Sequence, residues 1–376
     1  MASPPRVLFA YLGDPSASSR ALRQLRALTA LELTVHVLGV GPMGNAAAMP
    51  AGLTVEMLPR PAGRGPGWFW AAHRAVRRHG LRQPADLYLA SDLYVLPALA
   101  AAAARHNGSL VFDSRELYAH LDASAGRPLV RTTWRTVEQR FIRRADAVLT
   151  VNDSIADALA TTYRIPRPEV LPNVPDTPPP SPSDRLQREL AIPDDGRTLV
   201  LYQGLFREGR GLLALLDAAR DVDSVRCAFI GEGPLDADVK RHALSLGDRA
   251  IVHPFVHPAE LPAFTVGADV GACLIEPLTE SLRLSLPNKL FETLNAHVPV
   301  LASPLPEIQR VVEAFEVGTL ADPSDSGAIV EALHRVTDPS LRSSWRSRIP
   351  DALDALNPTD ITARFQNVIL SLLPSP

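Results

Sequence analysis

The sequence has little cysteine and almost no lysine. Cys227 and Cys273 are the only cysteines in 376 residues, which excludes a disulfide scaffold and a multi-cysteine metal cluster. Of the 38 basic residues all but two are arginine, and the exceptions are Lys240 and Lys289. Lys240 fits the solvent face of a predicted helix. Lys289 lies in a motif where a compact ammonium group is expected to have a specific role. A broader guanidinium would fill the space there differently.

Long hydrophobic runs are also missing. The first apolar run, residues 7–12, ends at Gly13 and is far shorter than the ~20 residues of a membrane-spanning helix. It is also shorter than the core of a signal peptide. The chain is 46% hydrophobic and 21% charged, as expected for a globular protein. The length favours about two domains, and we expect a soluble cytoplasmic protein.

The net charge of −3 hides an uneven distribution. Residues 1–175 contain 20 basic and 13 acidic residues, whereas the remainder contains 18 basic and 28 acidic ones. Two interpretations stay open. Either the basic part contacts anionic lipid at the inner face of a membrane or an acidic substrate, or the arginine enrichment has no functional meaning.

Short apolar runs alternate with helical patterns along the whole chain. The runs are mostly continuous, which is typical of parallel strands covered on both faces. Their alternation with helices predicts an α/β fold built of βαβ units. The predicted strands are 7–12, 33–40, 53–58, 87–90, 110–112, 147–151, 199–202, 227–230, 251–253, 270–275, 298–302 and 318–320. The predicted helices are 19–30, 67–79, 96–105, 129–144, 154–160, 184–190, 211–219, 235–246, 259–266, 287–296, 306–314 and 359–372. Residues 152–154 are expected to cap the helix 154–160.

Proline is concentrated between residues 172 and 193, where seven occur. Proline cannot continue a helix or donate to a strand ladder, so this stretch predicts an interdomain connection. We predict four segments. They are a Rossmann-like domain over 1–175, a linker over 176–192, a second Rossmann-like domain over 193–357, and a terminal helix over 358–376.

The segment 285–292 places a lysine and a glutamate on one face at the start of a predicted helix. Ser285 is expected to cap this helix and Pro287 to lie in its first turn. Helix-end amides beside Lys289 would bind an anion, and Glu292, one turn later, would accept from two vicinal hydroxyls such as those of ribose. The alternative is a surface Lys–Glu pair on a capped helix.

Two glycine-containing turns follow predicted strands in the same half of the chain. Gly204, Gly209 and Gly211 lie between a strand and a helix, with Arg210 among them. A guanidinium pairs bidentately with phosphate oxygens, and glycines permit close backbone approach. The second turn, residues 231–234, follows the next strand. Ligands bind at the carboxyl ends of parallel strands in such sheets, although each turn alone is equally explained as a tight turn.

These motifs, in this order, resemble the retaining family 4 glycosyltransferases of GT-B fold. The segments that carry the resemblance are YQG…GRG (202–211), GEGPL (231–235), PNKLFE (287–292), VPVLAS (298–303), FDSRELY (112–118), RADAVLTVNDSIADAL (144–159) and VLPNVPD (170–176). The resemblance spans about residues 6–355 and is more specific in the second half. It implies two Rossmann-like parallel-sheet domains facing a cleft, with the last helix crossing back to the first domain.

The resemblance also implies a nucleotide-diphosphate sugar as the donor. Arg210 and Lys289 would be the catalytic cations that hold the diphosphate, and Glu292 would bind the ribose hydroxyls. The turn 231–233 would lie near the ribose and base, and the loop 281–286 would offer amides to the distal phosphate. The implied donor-side residues are Gly204, Gly209, Gly211, Gly231, Glu232, Gly233, Ser281, Ser285, Leu286 and Glu292.

Candidates for the acceptor or sugar side lie in the first half. Asp113, Arg115 and Glu116 follow a predicted strand, where they either contact substrate or form structural ion pairs. Gly13 is the single glycine of a loop that is often glycine-rich in the family. Relatives often have a histidine where Arg115 stands, and His120 is a candidate substitute.

One departure concerns the two-glutamate motif of the family. The position of its first glutamate is Leu284 here. The sugar contact made there must then come from the backbone or from another side chain, with Glu276 and Glu280 as nearby candidates.

The implied mechanism follows from charge. Cleavage of the bond between the anomeric carbon and the phosphate builds negative charge on the diphosphate, which Arg210, Lys289 and helix-end amides would stabilise. These fixed charges do what a divalent metal does elsewhere, so we predict no required metal or cofactor. Retention without an enzymic nucleophile implies attack on the same face, with the leaving phosphate taking the proton of the acceptor.

Several alternatives stay open. The helix 129–144 either packs its apolar side on the core or presents arginines to anionic lipid. The acceptor is a sugar, a lipid-linked or a small molecule, in cell-surface glycan or glycolipid synthesis, and no nucleic acid is expected. Two rival functions are a GT-B sugar-nucleotide epimerase and a non-catalytic nucleotide-sugar-binding subunit.

Overall fold

The computed structural model describes residues 4–63, 65–121 and 128–374. The chain forms two compact units. Unit 1 comprises the described residues through Pro172 together with those from Thr359 onward, and unit 2 comprises Asn173–Pro358.

Unit 1 is built on a seven-stranded parallel sheet with the strand order β3-β2-β1-β4-β5-β6-β7. The strands are β1 Arg6–Ala10, β2 Thr34–Val40, β3 Thr54–Leu58, β4 Leu87–Ala90, β5 Ser109–Asp113, β6 Ala147–Thr150 and β7 Glu169–Val170. The helices between them are α1 Ser19–Thr29, α2 Pro66–Gly80, α3 Leu96–His106, α4 Pro128–Ile142 and α5 Asp153–Tyr163.

Unit 2 is built on a six-stranded parallel sheet with the order β10-β9-β8-β11-β12-β13. Its strands are β8 Thr198–Gln203, β9 Val225–Ile230, β10 Ala250–His253, β11 Val270–Cys273, β12 Val300–Ala302 and β13 Gly318–Leu320. Its helices are α6 Arg185–Glu189, α7 Leu212–Ala218, α8 Asp236–Ser245, α9 Pro262–Thr265, α10 Glu280–Arg283, α11 Asn288–Asn295, α12 Pro306–Phe315, α13 Ser326–Thr337 and α14 Pro339–Leu356. The α/β fold with two parallel sheets is confirmed.

The central strands are buried along their whole length because helices cover both faces of each sheet. Every residue of β4, β8 and β9 is buried. This explains why the strands appear in the sequence as continuous apolar runs rather than alternating ones. Helix starts follow local chemistry. The Asn152 side chain accepts from the Ile155 amide at 2.8 Å, which confirms the predicted cap of α5.

The last helix, α15 Pro358–Leu372, completes unit 1 rather than unit 2. Its Phe365 and Ile369 are buried in the core formed by β1, β2 and α1. The Ser109 hydroxyl donates to the Leu372 carbonyl at 2.8 Å, and the Gln366 amide donates to the Ala27 carbonyl at 3.0 Å. The chain therefore returns to its first unit, as expected.

The proline-rich stretch contains the short helix predicted over 184–190. α6 lies inside the predicted linker 176–192, and its Leu186 is buried in the core of unit 2 with Phe264. The sequence missed four elements, namely β7, α10, α13 and α14, and it overextended α9.

Candidate functional site

Lys289, the second residue of α11, contacts an aromatic ring. Its Nζ lies 3.7 Å from the centroid of the Tyr202 ring. The Nζ atom is shielded from solvent and has no hydrogen-bond partner within the described ranges. Tyr202 is itself buried, and its hydroxyl donates to the Leu205 carbonyl at 3.0 Å. A cation–π contact holds an ammonium in place but satisfies none of its three N–H donors, which makes them suited to an anionic ligand.

Lys240 has the opposite setting. Its side chain is 57% exposed, and Nζ lies 2.7 Å from Asp236 Oδ2 one turn earlier in α8. This is an ordinary surface pair between residues four apart on a helix. The prediction that Lys240 faces solvent is confirmed, and the contrast makes Lys289 the unusual lysine of the chain.

The two glycine turns of unit 2 lie directly against each other. A Cβ added to Gly231 would lie 1.9 Å from the Gly204 carbonyl oxygen, and one added to Gly233 would lie 2.3 Å from the Phe206 carbonyl oxygen. The Phe206 amide donates to the Glu232 carbonyl at 2.8 Å, which ties the turns together. Glycine is required at 231 and 233 because the backbones approach too closely for any side chain.

Arg210 lies in the turn between β8 and α7. Gly209 and Gly211 flank it with φ angles of +74° and +62°, in the left-handed region that favours glycine. Glu276 anchors this turn from both sides. The Gly211 amide donates to Glu276 Oε1 at 3.2 Å, and the Glu276 amide donates to the Gly209 carbonyl at 3.2 Å. The backbone around Arg210 is thus held from the end of β11.

The two predicted catalytic cations, Lys289 and Arg210, both influence the pKa of Cys273. Burial raises the pKa of the Cys273 thiol to about 11, and the charges of Lys289 and Arg210 act in the opposite direction. Cys273 is the last residue of β11. Both cations therefore act on the carboxyl end of this central strand, although they come from different elements.

The segment 281–286 is not the open loop that the sequence predicted. Residues Glu280–Arg283 form α10, capped by the Thr279 hydroxyl, which accepts from the Leu282 amide at 3.2 Å. The amides of residues 283–285 also donate within the segment. The four amides of 282–285 are therefore not available to a phosphate unless the segment rearranges.

The predicted capping role of Ser285 is wrong. α11 begins at Asn288, and the residue at its N-cap is Pro287, which has no side-chain acceptor. Ser285 lies two residues before this N-cap, and its hydroxyl donates to the Leu282 carbonyl at 2.7 Å. The N-terminus of α11, beside Lys289, consequently carries no side-chain cap.

The structure gives no carboxylate replacement at position 284. Leu284 is buried, as are Ser281 and Leu286. Glu276 anchors the Arg210 turn, and Glu280 pairs with Arg283 at 2.7 Å. Both nearby glutamates therefore have structural partners.

The remaining donor-side carboxylates differ in setting. Glu292 is half-buried and lies three residues after Lys289 in α11. Glu232 is exposed in the turn between β9 and α8. Glu292 is therefore held on a helix beside the lysine, whereas the Glu232 side chain faces solvent.

Asp113 of unit 1 forms a buried ion pair with Arg20. Arg20 Nε and Nη2 each lie 2.7 Å from one Asp113 oxygen, and the Gln24 amide donates to Asp113 Oδ2 at 2.9 Å. Both ends of the pair are almost completely buried. The geometry favours the structural alternative for Asp113 over a substrate contact.

Arg115 sits in a buried polar cluster at the carboxyl ends of β1, β4 and β5. Its guanidinium carbon lies 5.1 Å from the centroid of the Tyr11 ring, and its Nε has no hydrogen-bond partner within the described residues. Burial raises the pKa of the nearby Asp92 carboxyl, and the charge of Arg115 opposes this shift. The Asp92 oxygens accept from the Leu12 and Val95 amides at 2.8 and 3.0 Å.

The other candidates for the acceptor or sugar side are Gly13, Glu116 and His120. Gly13 has φ +143°, and its carbonyl accepts from the Val40 amide at 3.0 Å. The His120 amide donates to the Leu117 carbonyl at 2.8 Å, and the side chains of Glu116 and His120 are half-buried.

Two residues of these sites were not predicted individually. Tyr202 was part of a quoted motif, and the only signal for its role was its position at the end of a strand beside Gly204. Asp92 follows strand β4 directly, at the same sheet edge as Gly13 and Arg115, and that placement was a usable signal.

Metal-binding clusters and membrane-spanning helices are both absent from the described residues. They contain no group of three His, Cys, Asp or Glu arranged to hold a metal ion. None of the helices within the described ranges combines the length and apolarity needed to cross a bilayer.

Solved structures of similar fold cover nearly the whole chain, whereas no curated protein matches it significantly in sequence. Sucrose-phosphate synthase from Thermosynechococcus elongatus aligns over 98% of this chain and 99% of its own, with TM-score 0.77 and 17% identity. HepE from Anabaena, in complex with UDP and glucose, aligns over 98% and 100%, with TM-score 0.75 and 15% identity. A glycosyltransferase from Rickettsia africae aligns over 98% of each chain, with TM-score 0.70 and 12% identity. These likenesses show the GT-B fold.

Sequence-family models match both halves of the chain. The model described as Glycosyltransferase Family 4 matches residues 17–177. The model described as Glycosyl transferases group 1 matches residues 197–338. The two matches together span most of the chain and agree with its two units. The chain therefore belongs to the family 4, group 1 glycosyltransferases.

Proposed function

We propose that the protein is a retaining glycosyltransferase that uses a nucleotide-diphosphate sugar and needs no metal. The observation that carries the proposal is the ammonium of Lys289, which lies 3.7 Å from the Tyr202 ring centroid and has no hydrogen-bond partner among the described residues. A shielded cation without a counter-ion is costly, and a ligand that brings the missing negative charge removes that cost.

Lys289 and Arg210 would bind the diphosphate of the donor. Both charges act on the end of β11, and the uncapped first turn of α11 adds backbone amides to the same anion. Negative charge grows on the diphosphate as the bond to the anomeric carbon breaks. Cations that are already in place stabilise this charge without reorganisation.

The nucleoside would lie over the glycine turns. Gly204, Gly231 and Gly233 leave the ends of β8 and β9 free of Cβ atoms, so a flat ligand can approach the backbone closely. Glu292, three residues after Lys289, would accept from the ribose hydroxyls. We assign Arg115 of unit 1 to an acceptor or sugar contact, because its Nε has no hydrogen-bond partner in the part of the chain that the structure describes.

Retention would follow from attack on the face from which the diphosphate leaves. The acceptor hydroxyl gives its proton to a departing phosphate oxygen, while its oxygen forms the new bond to the anomeric carbon. Atoms and charge balance without a covalent enzyme intermediate. The position of Leu284, which is apolar and buried, supplies no carboxylate for such an intermediate.

The donor can be tested before the acceptor is known. UDP-glucose is the first candidate, because HepE from Anabaena holds UDP-glucose in a structure of the same fold. A thermal-shift screen of UDP, GDP, ADP and their common sugars should show one stabilising nucleotide. A ligand at 100 times its dissociation constant adds about 2.7 kcal/mol to the stability.

Lys289→Ala is expected to abolish that stabilisation, and Lys240→Ala, the matched lysine control, should retain it. Transfer across an acceptor panel would follow, with the anomeric configuration of the product read by NMR. Donor binding without turnover would support the non-catalytic subunit instead. Conversion of the donor sugar in the absence of acceptor would support an epimerase.

A further inference from the structure

Unit 1 contains a groove that is lined mainly by arginines. Its volume is about 590 Å³. It lies between α2 and the end of α3, away from the cluster around Arg115. We call it the arginine groove; its lining residues are Trp70, His73, Arg74, Arg77, Arg78, Leu81, Arg82 and Arg105.

The five arginines of this groove have no acidic partners among the described residues. All five are exposed, and within the described residues none of them forms a salt bridge or a side-chain hydrogen bond. Elsewhere in the chain exposed arginines are commonly paired, as Arg188 is with Asp184 and Arg283 with Glu280. The groove therefore concentrates positive charge that the described part of the chain does not neutralise.

The positive charge of the groove arginines destabilises helix α2 by repulsion. Arg74 lies three residues before Arg77 and four before Arg78, so like charges face each other on α2. Burial and the charge of Arg77 lower the pKa of His73 in the same groove. A multivalent anion would relieve this repulsion.

Exposed apolar side chains lie in the groove itself and on the neighbouring helix α4. Trp70 is 60% exposed, and the Arg74 guanidinium carbon lies 4.5 Å from the centroid of its ring. Leu129, which is 83% exposed, lies at the start of α4. α4 packs on α2 through Trp134, whose ring centroid is 5.3 Å from that of Phe69. Aromatic and apolar groups beside arginines are typical of surfaces that lie at the membrane–water interface.

We propose that the arginine groove and Trp70 form a docking surface for a bilayer that contains anionic phospholipids. The arginines pair with headgroup phosphates, and Trp70 and Leu129 insert at the level of the headgroups. The exposed apolar groups favour a bilayer over a soluble phosphate compound, which would not use them. Charge near such a surface strengthens binding by about fivefold for each arginine.

The experiment is co-sedimentation of the full chain with sucrose-loaded vesicles. One set of vesicles is phosphatidylcholine alone, and the other contains phosphatidylglycerol as well. We expect binding only to the anionic vesicles and loss of binding at high salt. Replacing Arg74, Arg77 and Arg78 together by Gln should weaken the partition on the order of a hundredfold. Trp70→Ser should weaken it further without a change in net charge.

The matched control replaces Arg188, Arg241 and Arg283 by Gln, because these are exposed arginines paired with acidic residues in unit 2. It removes the same charge and should change the partition less than about threefold. Circular dichroism checks that each variant is folded. Equal losses in the two triple variants, or no binding of the wild type to anionic vesicles, would overturn the proposal.

Inorganic pyrophosphate tests whether the groove arginines bind a soluble phosphate compound instead of phospholipid headgroups. Groove-dependent binding of pyrophosphate, measured by calorimetry with the wild type and the groove variant, together with no vesicle binding, would replace the membrane by a soluble ligand. Vesicle binding needs neither donor nor acceptor, so its outcome is separate from that of the glycosyl-transfer assays.

Discussion

The ammonium of Lys289 lies 3.7 Å from the centre of the Tyr202 ring, and the position that a Cβ would take at Gly204 lies 3.8 Å from the same Nζ. The lysine thus occupies a narrow space bounded by a ring and a backbone without a side chain. In a chain whose only other lysine is the exposed Lys240, this space explains why a lysine stands at position 289.

Lys289→Arg tests this explanation because it preserves the charge and changes the shape. The broader guanidinium should fill the space between Tyr202 and Gly204 that the diphosphate needs. We expect at least a tenfold loss in kcat/KM for transfer, or about 1.4 kcal/mol of transition-state stabilisation. Lys240→Arg, on the exposed face of α8, should transfer at the wild-type rate. A fully active Lys289→Arg would show that charge alone matters.

Gly231→Ala should damage unit 2 through a backbone clash. The new Cβ would lie 1.9 Å from the Gly204 carbonyl oxygen, and no side-chain rotation can relieve this contact. We expect a loss of about 3 kcal/mol in the free energy of unfolding. Gly196→Ala is the control, since Gly196 has φ +77° but open space around its Cβ position, and it should cost only about 1 kcal/mol. Urea titration of both variants gives the comparison, and equal losses would exclude the clash as the cause.

Asp113→Asn should cost stability if the pair with Arg20 is structural. Removing one partner leaves the other charge buried and uncompensated, at a cost of about 3–5 kcal/mol. Asp157→Asn breaks an exposed pair with Arg167 in the same unit and should cost less than about 1 kcal/mol. Chemical denaturation distinguishes the two. A stable Asp113→Asn with impaired transfer would instead place Asp113 at the substrate.

Glu138 should make stability depend on pH. It is buried in α4, where burial raises its pKa from 4.5 to about 7 and the Tyr163 hydroxyl, which donates to it at 2.7 Å, acts in the opposite direction. The folded state therefore binds a proton more tightly than the unfolded state. The contribution of Glu138 falls as the pH rises from about 4.5 to 7.

Glu138→Gln cannot ionise and should lack this loss. The variant should match the wild type near pH 4 and exceed it at pH 8 by on the order of 1–3 kcal/mol. Urea unfolding of both proteins across that range provides the measurement. Other buried carboxyls, such as Asp92, are common to both proteins and cancel in the difference. Parallel curves at all pH values would refute the assignment.

Much of the fold could be predicted from the sequence because buried parallel strands appear as continuous apolar runs. β4 was predicted to the residue, and α1 to within one residue at its end. α13 and α14 were missed although their starts carried a signal. Asp325 and Asp338 each accept from two backbone amides at the beginning of these helices, which is the chemistry of an N-cap.

The site was less predictable where it depends on distant partners. Glycine spacing and the rare lysine pointed to the ends of β8, β9 and α11. The anchoring of Gly211 by Glu276 and the pairing of Asp113 with Arg20 join residues 65 and 93 positions apart. A single sequence holds no signal for which of many carboxylates fills such a role. The capping role of Ser285 was wrong because the helix begins at Asn288, two residues later than that role requires.

The return of α15 to unit 1 has a consequence for the order of events on the ribosome. Phe365 and Ile369 belong to the core around β1, yet they are made after every strand of both sheets. Unit 2 lies entirely within Asn173–Pro358 and has all its residues earlier. Although domains generally fold in the order of synthesis, the unit that is made first here is completed last. Until α15 leaves the ribosome, the apolar surface of unit 1 that packs against Phe365 and Ile369 should stay exposed in nascent chains, where chaperones can bind it.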